Sequence, residues 1–438
     1  MASIILTLQI SPDITVYLIK IGDVDMFNSF GDIQNRYRIE KNISIGKLAE
    51  LTGICRSSLA KIESGETKRP SFNTCKKVAN TLDIPYSITI NSCLNHTERP
   101  ESLKFLLQEA ISTKSPTLVQ KCANRLLETP RLDTFLALDY LFQIVNVVED
   151  DQTKFPIYDT IIDYTRKQGV PHYLAKGIFE RYMFERDDFT RFKETYHRGK
   201  ELLHYIESLL PSERISFYYR MGAHADILGY PVDCIELCRK GIHEDQTDSI
   251  FRASALLALF NSYVLLGDLI LANYFFEEYA NSQYADYRKK HCLAVLSAKK
   301  GEFDKSIQLY KELLEEAEQI RRISIVSDLL DVYLEIDRDD LIKQLIETEE
   351  MFISIDNHPN RIKSTATYYQ RKGACLLRMG QDEEGLNSLI ESIHYYRRLG
   401  VKDKMGECIC LFLNYHRTKK QHLSFEHMEI IENLWYNC

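Results

Sequence analysis

The chain has 438 residues, and 55 Lys and Arg against 63 Asp and Glu give a formal net charge of −8, which taken alone argues against a nucleic-acid partner. Hydrophobic residues at 45% and charged residues at 27% exclude wholesale disorder. Glycine (18) and proline (11) fall well below the roughly 12% of average usage, so the chain is expected to be dominated by helices.

Residues 4–10 (IILTLQI) and 14–21 (ITVYLIKI) are β-branched and aromatic-rich and flank Ser11-Pro12-Asp13, a turn signal. They predict a short β-hairpin within an N-terminal extension, residues 1–29. The first 22 residues lack a basic leader and carry Pro12 and Asp13, unlike a secretory signal. The longest apolar stretch, 254–272, is interrupted by Asn261, Gly267 and Asp268, so no membrane span is expected. Eleven cysteines, an odd number with no Cys-x-x-Cys pair, read as reduced and mostly buried thiols. A cytoplasmic protein with no metal and no cofactor is expected.

Residues 30–86 differ from the rest in charge. They hold ten Lys and Arg against six Asp and Glu, a net +4, which leaves −12 for the remainder. Within them, IGKLAELTGICRSSLAKIESG (45–65) has the spacing of a helix-turn-helix. That motif needs a small residue where two helices cross, a turn residue tolerant of positive φ, and apolar residues inside the second helix. Ala49, Gly53, Leu59 and Ile62 meet those needs. Ser44 and Ser71 stand where N-caps are expected. Glu63 is expected to pair with Arg36 or Arg38 as an exposed ion pair of at most about 1 kcal/mol.

This pattern, with its Ile62-Glu63-x-Gly65 ending, resembles the five-helix DNA-binding domains of the Cro/repressor (Xre) class. The resemblance covers about 57 residues and departs from the family at Ile45, usually Gln, and at Cys55, usually Ser or Thr. It implies that residues 56–62 lie in the major groove of double-stranded DNA. Arg56, Ser57, Ser58 and Lys61 would point to base edges or phosphates, and Lys68 and Arg69 to the backbone.

Residues 87–100 (SITINSCLNHTERP) read as a linker, and 101–438 as continuous helices broken near Pro116, Pro130, Pro156, Pro171, Pro211 and Pro231. Gly267-Asp268 and Gly301-Glu302 lie 34 residues apart, each followed by a small residue (Ala272, Ser306) and then an aromatic (Phe276, Tyr310). Gly222 and Gly229, and again Gly373 and Gly380, repeat a seven-residue spacing preceded by Tyr218 and Tyr369, and a further unit turns near Asp337. Thirty-four is the period of tetratricopeptide repeats. The predicted fold is therefore all-α: a helix-turn-helix domain preceded by a hairpin, then a tetratricopeptide-like right-handed α-solenoid. The first helix of each pair would line a concave groove presenting Tyr219, Asp226, Asn261, Arg288, His291, Ser327, Asp331, Thr367, Gln370 and Arg378, a mixed polar surface suited to an extended peptide. Asn261, in the apolar run ALLALFNSYVLL, is the most suggestive, because a buried amide needs partners.

An Xre-type domain followed by such an array resembles the peptide-pheromone receptor regulators of the Rgg, NprR, PlcR and PrgX group and the phage arbitrium receptors. The resemblance implies a homodimer that reads an inverted-repeat operator and is controlled by a short signalling peptide in the groove, without membrane attachment. Two other readings stay open: a scaffold that binds a protein partner, and a response-regulator phosphatase like the Rap proteins. No phosphate-cradling glycine loop, His-Glu-x-x-His or Gly-x-Ser-x-Gly occurs, so an enzyme is not expected, and His224 and His291 read as structural.

Overall fold

The computed structural model describes residues 6–11, 14–18, 29–353, 357–420 and 425–436. They divide into two compact units, Met1–Gly177 and Ile178–Cys438. In the first, β1 (Leu6–Ser11) and β2 (Ile14–Leu18) pair antiparallel with Leu6 opposite Leu18 and Leu8 opposite Val16. The expected turn residues Pro12 and Asp13 lie outside the described residues.

Five helices follow: α1 (Phe30–Glu40), α2 (Ile45–Thr52), α3 (Arg56–Glu63), α4 (Phe72–Leu82) and α5 (Tyr86–His96). The Ser44 hydroxyl accepts from the Lys47 N–H at 3.1 Å and that of Ser71 from the Thr74 N–H at 3.2 Å, so both serines cap helices. Gly53 ends α2 at φ +68°, a left-handed turn that a side chain would strain. Phe30, Ile33, Leu48, Leu59, Ile62, Val78 and Leu82 form one core against which Ala49 packs.

A second interaction closes this domain. Arg38 donates from Nε and Nη2 to the two Glu63 carboxylate oxygens at 2.7 and 2.9 Å, Gln34 Nε2 donates to the same carboxylate at 3.0 Å, and Arg38 Nη1 reaches the Ile43 carbonyl at 2.9 Å. With side chains only 15% and 9% exposed, Arg38 and Glu63 are not the surface pair expected from sequence. Arg36 turns instead to Glu40.

The expected linker at 87–100 is corrected. Most of it is α5, which buries Thr89, Ile90, Ser92 and Leu94 and sets Ile88 and Cys93 against the domain core. Its start is hidden in the sequence because Pro85, which offers no capping side chain, holds the N-cap position. Next come α6 (Pro100–Ser112), α7 (Pro116–Glu128), α8 (Thr134–Val147) and α9 (Asp151–Gln168). Pro156 does not break the chain but lies inside α9. The five-helix domain is fastened to α6: the Phe72 and Phe105 rings are 5.5 Å apart, Tyr86 Oη donates to Glu109, and Lys76 pairs with Glu109 at 3.3 Å.

α10 (Pro171–Glu185) follows α9. The second unit continues with α11 (Phe192–Gly199), extended by 3₁₀ turns, and then helical hairpins: α12 (Pro211–Leu228) with α13 (Pro231–Glu244), α14 (Ile250–Leu265) with α15 (Leu269–Ala280), and α16 (Arg288–Lys299) with α17 (Phe303–Glu316). α18 (Gln319–Glu335) with α19 (Asp339–Glu347), α20 (Pro359–Arg378) with α21 (Asp382–Leu399), and finally α22 (Lys402–Lys419) and α23 (Phe425–Tyr436) complete it. The 34-residue correspondence holds in three dimensions. Ala272 and Ser306 are fully buried at the crossings, Phe276 and Tyr310 are buried beside them, and Asp337 makes the remaining turn at φ +56°. Ser306 Oγ donates across its hairpin to the Ala294 carbonyl at 2.8 Å.

At Gly222 the α12 backbone comes so close to α13 that a Cβ would sit 2.4 Å from Cys238 Sγ. Gly222→Ala is expected to cost about 1–3 kcal/mol from overpacking, and Cys238→Ala in the same chain to recover part of it; the thermal unfolding of the three variants tests this. Glu63→Ala leaves the Arg38 charge without its partner and should destabilise by about 3 kcal/mol, read as an earlier loss of amide-exchange protection in residues 30–96 of the full chain.

Candidate DNA-recognition helix and ligand groove

α3 buries Leu59 and Ile62 and turns Arg56, Ser57 and Lys61 outward. Lys68 and Arg69, in the turn before α4, are exposed as well. Of the six residues assigned to DNA, five are therefore exposed on one domain, and Ser58 is half-buried. Among these, Lys61 is engaged, pairing with Glu66 at 2.9 Å, both side chains being more than half exposed. Ser57 and Ser58 meet the Cys55 thiol at 3.5 and 2.9 Å, and these contacts lower its pKa to about 7. Cys55 thus stands at the start of α3 with partial thiolate character and no side-chain capping bond.

The expected groove residues separate into two sets. Several are consumed by structure. Tyr219 is buried, with Oη donating to Asp245 Oδ2 at 2.9 Å, so it holds the α13–α14 connection rather than facing a ligand. Arg288 bonds to Asp286 at 2.8 Å, two residues before it. Arg378 reaches back to the preceding hairpin, to the Leu334 carbonyl and Asp337 at 2.9 Å and to Asp339. Thr367 bonds to its own helix at the Lys363 carbonyl, 2.9 Å away. Asn261 is exposed, so the expected cost of a buried amide does not arise.

The other set forms one network across α16, α18 and α20. His291 Nε2 lies 2.8 Å from Asp328 Oδ2, Arg371 donates to Ser327 Oγ at 2.8 Å and Asp328 Oδ1 at 2.7 Å, and its other nitrogen reaches Asp331 Oδ2 at 2.7 Å. Burial alone would raise the Asp328 pKa, but Arg371 and His291 outweigh it and hold the carboxyl at about 2. Asp331 moves the other way, raised chiefly by burial. Gln370 lies beside this network, bridging Tyr396 Oη at 3.2 Å and Glu407 at 3.3 Å. Sequence spacing found His291, Ser327 and Asp331 but missed Arg371 and Asp328. The missed signal is an i, i+3 and i, i+4 pattern: Asp328 follows Ser327 and precedes Asp331 by three, while Arg371 follows Thr367 by four.

Asp226 has a distant partner. Lys363 Nζ on α20 donates to the Asp226 carbonyl at 2.6 Å and lies 3.6 Å from its carboxylate, joining residues 137 positions apart. In the same unit the Phe189 and His358 rings meet at 5.6 Å, and the Lys193 side chain lies against Gly400.

Because its pKa is depressed, Asp328 adds stability that is complete above about pH 4 and disappears as pH falls through about 2. Asp328→Asn should therefore lower stability by about 2 kcal/mol at pH 7, with wild type and variant converging between pH 4 and 2 in denaturant titrations followed by circular dichroism.

Residues 35–88 match the helix-turn-helix family model. The chain is similar to the HTH-type transcriptional repressor RghR of Bacillus subtilis (strain 168), with 34% identity over 58 residues, 13% of this chain and 43% of that protein, and so spans less than half of that relative. Among solved structures, a tetratricopeptide repeat protein from Parabacteroides merdae aligns over 62% of this chain and 98% of its own at 14% identity and a TM-score of 0.47. Bacillus thuringiensis PlcR, in complex with the peptide PapR7 and DNA, aligns over 87% of this chain and 99% of its own at 13% identity and a TM-score of 0.29. Among the described residues no helix is long and apolar enough to cross a membrane. The protein thus carries, at residues 35–88, a helix-turn-helix domain of the kind found in DNA-binding regulators, followed by an array of helical hairpins.

Proposed function

We propose that this protein is a transcription regulator that binds an operator in double-stranded DNA through α3 and takes up a short peptide along the first helices of its repeat array. The observation that carries the DNA reading is the outward face of α3, where Arg56 and Lys61 stand clear of a core that holds the helix rigid, with Lys68 and Arg69 beside it. Arg56 is the best placed to read a base, since it has no acidic partner among the described residues and its bidentate fork matches guanine O6 and N7. Lys61 would exchange Glu66 for a phosphate, at small cost because an exposed pair contributes little. Two copies of the chain would present two such helices to the half-sites of an inverted repeat.

The peptide reading is supported by the row of first helices. Asn261 is exposed on α14, and Asp331 on α18 and Gln370 on α20 keep part of their polar surface open. An extended peptide satisfies its backbone with such amide and carboxylate groups. To act as a signal it must bind one conformation of the protein better than another.

Selection of bound duplexes from randomised DNA, followed by gel-shift titration, tests the first part. Arg56→Ala with Lys61→Ala should weaken binding to the selected sequence at least tenfold. The same pair should reduce the slope of log affinity against log salt by about 0.9 for each phosphate contact removed. Unchanged affinity and slope would remove α3 as the recognition helix.

A further inference from the structure

Arg220 lacks the carboxylate partner that several other arginines of the array have. It projects from α12 half-buried, with its guanidinium carbon 4.6 Å over the Phe251 ring, and makes no hydrogen bond or ion pair among the described residues. Arg288, Arg371 and Arg378 each have a carboxylate. Two charges act on Arg220: the cation Arg186 and, to a lesser extent, Asp187, which pairs with Arg186 at 3.6 Å and is 72% exposed. Burial, and then the charge of Arg186, hold the Arg220 pKa below its ordinary value.

Asp187 is exposed and already paired with Arg186, and neither Tyr182 nor His224 adds a negative charge. Tyr182 donates its hydroxyl to His224 Nδ1 at 3.3 Å, and His224 Nε2 donates to the Phe192 carbonyl at 2.8 Å. Burial raises the Tyr182 phenol and lowers His224 to about 3, so both are neutral. A partly desolvated guanidinium beside a like charge is unfavourable until an anion reaches it.

The adjoining surface limits what that anion belongs to. α14 carries a single charged residue, Arg252, and this turns to the Ile242 and Asp245 carbonyls at 3.0 and 2.6 Å. Its exposed row, Phe251, Ser254, Asn261 and Leu265, is uncharged, and the two large apolar members are 49% and 59% exposed. A phosphate backbone would find no further cation along this face. An apolar chain bearing one carboxylate needs no further cation there.

We propose that Arg220, assisted by Arg186, anchors a carboxylate of the bound peptide, and that the uncharged face of α14 receives that peptide's apolar side chains. This rests on the peptide-receptor reading above. It predicts a hydrophobic ligand with one acidic group, either its C-terminus or an Asp or Glu side chain.

The test is affinity selection on the full-length protein and on Arg220→Met, which keeps an aliphatic stem on Phe251 but removes the charge. Three random hexapeptide pools serve as probes: free C-termini, amidated C-termini with Asp and Glu included, and amidated C-termini without them. The wild-type chain should retain peptides from the first or second pool at least tenfold over the third, the preferred pool identifying the carboxylate. Arg220→Met should lose that preference. If Arg220→Met, with a wild-type thermal midpoint, retains the same peptides equally well, the anchor is refuted while the peptide reading stands. Where Arg220→Met folds poorly, Arg186→Met takes its place under the same criteria. If the wild-type chain retains nothing from any pool, the peptide reading itself fails, and the anchor with it.

Discussion

Two helices joined by a tight turn share a face too narrow to form a core of their own, so each pair must be covered by the next. This constraint governs the second unit. Small residues at the crossings, Gly222 against Cys238, Ala272, and Ser306 against the Ala294 carbonyl, let the paired helices approach. The aromatic rings of Phe276 and Tyr310 are buried beside these crossings, Phe276 against Phe260 and Tyr310 in one core with Ile323 and Val326 of α18. Where the crossing residue is Ser306, its hydroxyl is fully buried and spends its donor on the opposite helix, so small size is achieved without an orphaned polar group.

Parts of the fold were legible because specific backbone geometry demands specific residues. Ser44, Gly53 and Ser71 sit where caps and a left-handed turn allow few alternatives, and Asp337 holds a turn that the repeat spacing had already located. α5 was not legible. It has no capping side chain, and Thr89 and Ser92 occupy buried positions that an apolar stripe would normally mark. Its polar appearance suggested a linker, yet it completes the five-helix domain and lies against α6. The ion pair of Arg38 and Glu63 was readable as a pair, but not its burial, which depends on α1 closing over the end of α3.

The groove was legible as a surface and poorly legible residue by residue. Periodicity assigns side chains to a face, but it does not say whether a polar group on that face meets a ligand or a neighbouring helix. Tyr219, Arg288 and Arg378 meet the protein's own turns, and the charges on α16, α18 and α20 largely cancel through Arg371. Arg220 carries no periodic signal that separates it from its neighbours; its half-burial over Phe251 without a paired carboxylate belongs to the tertiary packing alone. The distribution of charge works alongside this. A net +4 on residues 30–86 faces polyanions, and the −12 elsewhere discourages them from the array.

The contact between Lys363 and Asp226 alters the kind of object the second unit is. A linear array of repeats behaves as a chain of nearest neighbours, able to fray from either end and to lose its terminal pairs one at a time. Once α20 touches α12, the intervening hairpins belong to a loop with both ends secured, and loosening any one of them strains the closure as well as its two neighbours. A change at one hairpin then has two routes to any other, one through its neighbours and one across the Lys363–Asp226 contact, which an open row of the same helices lacks.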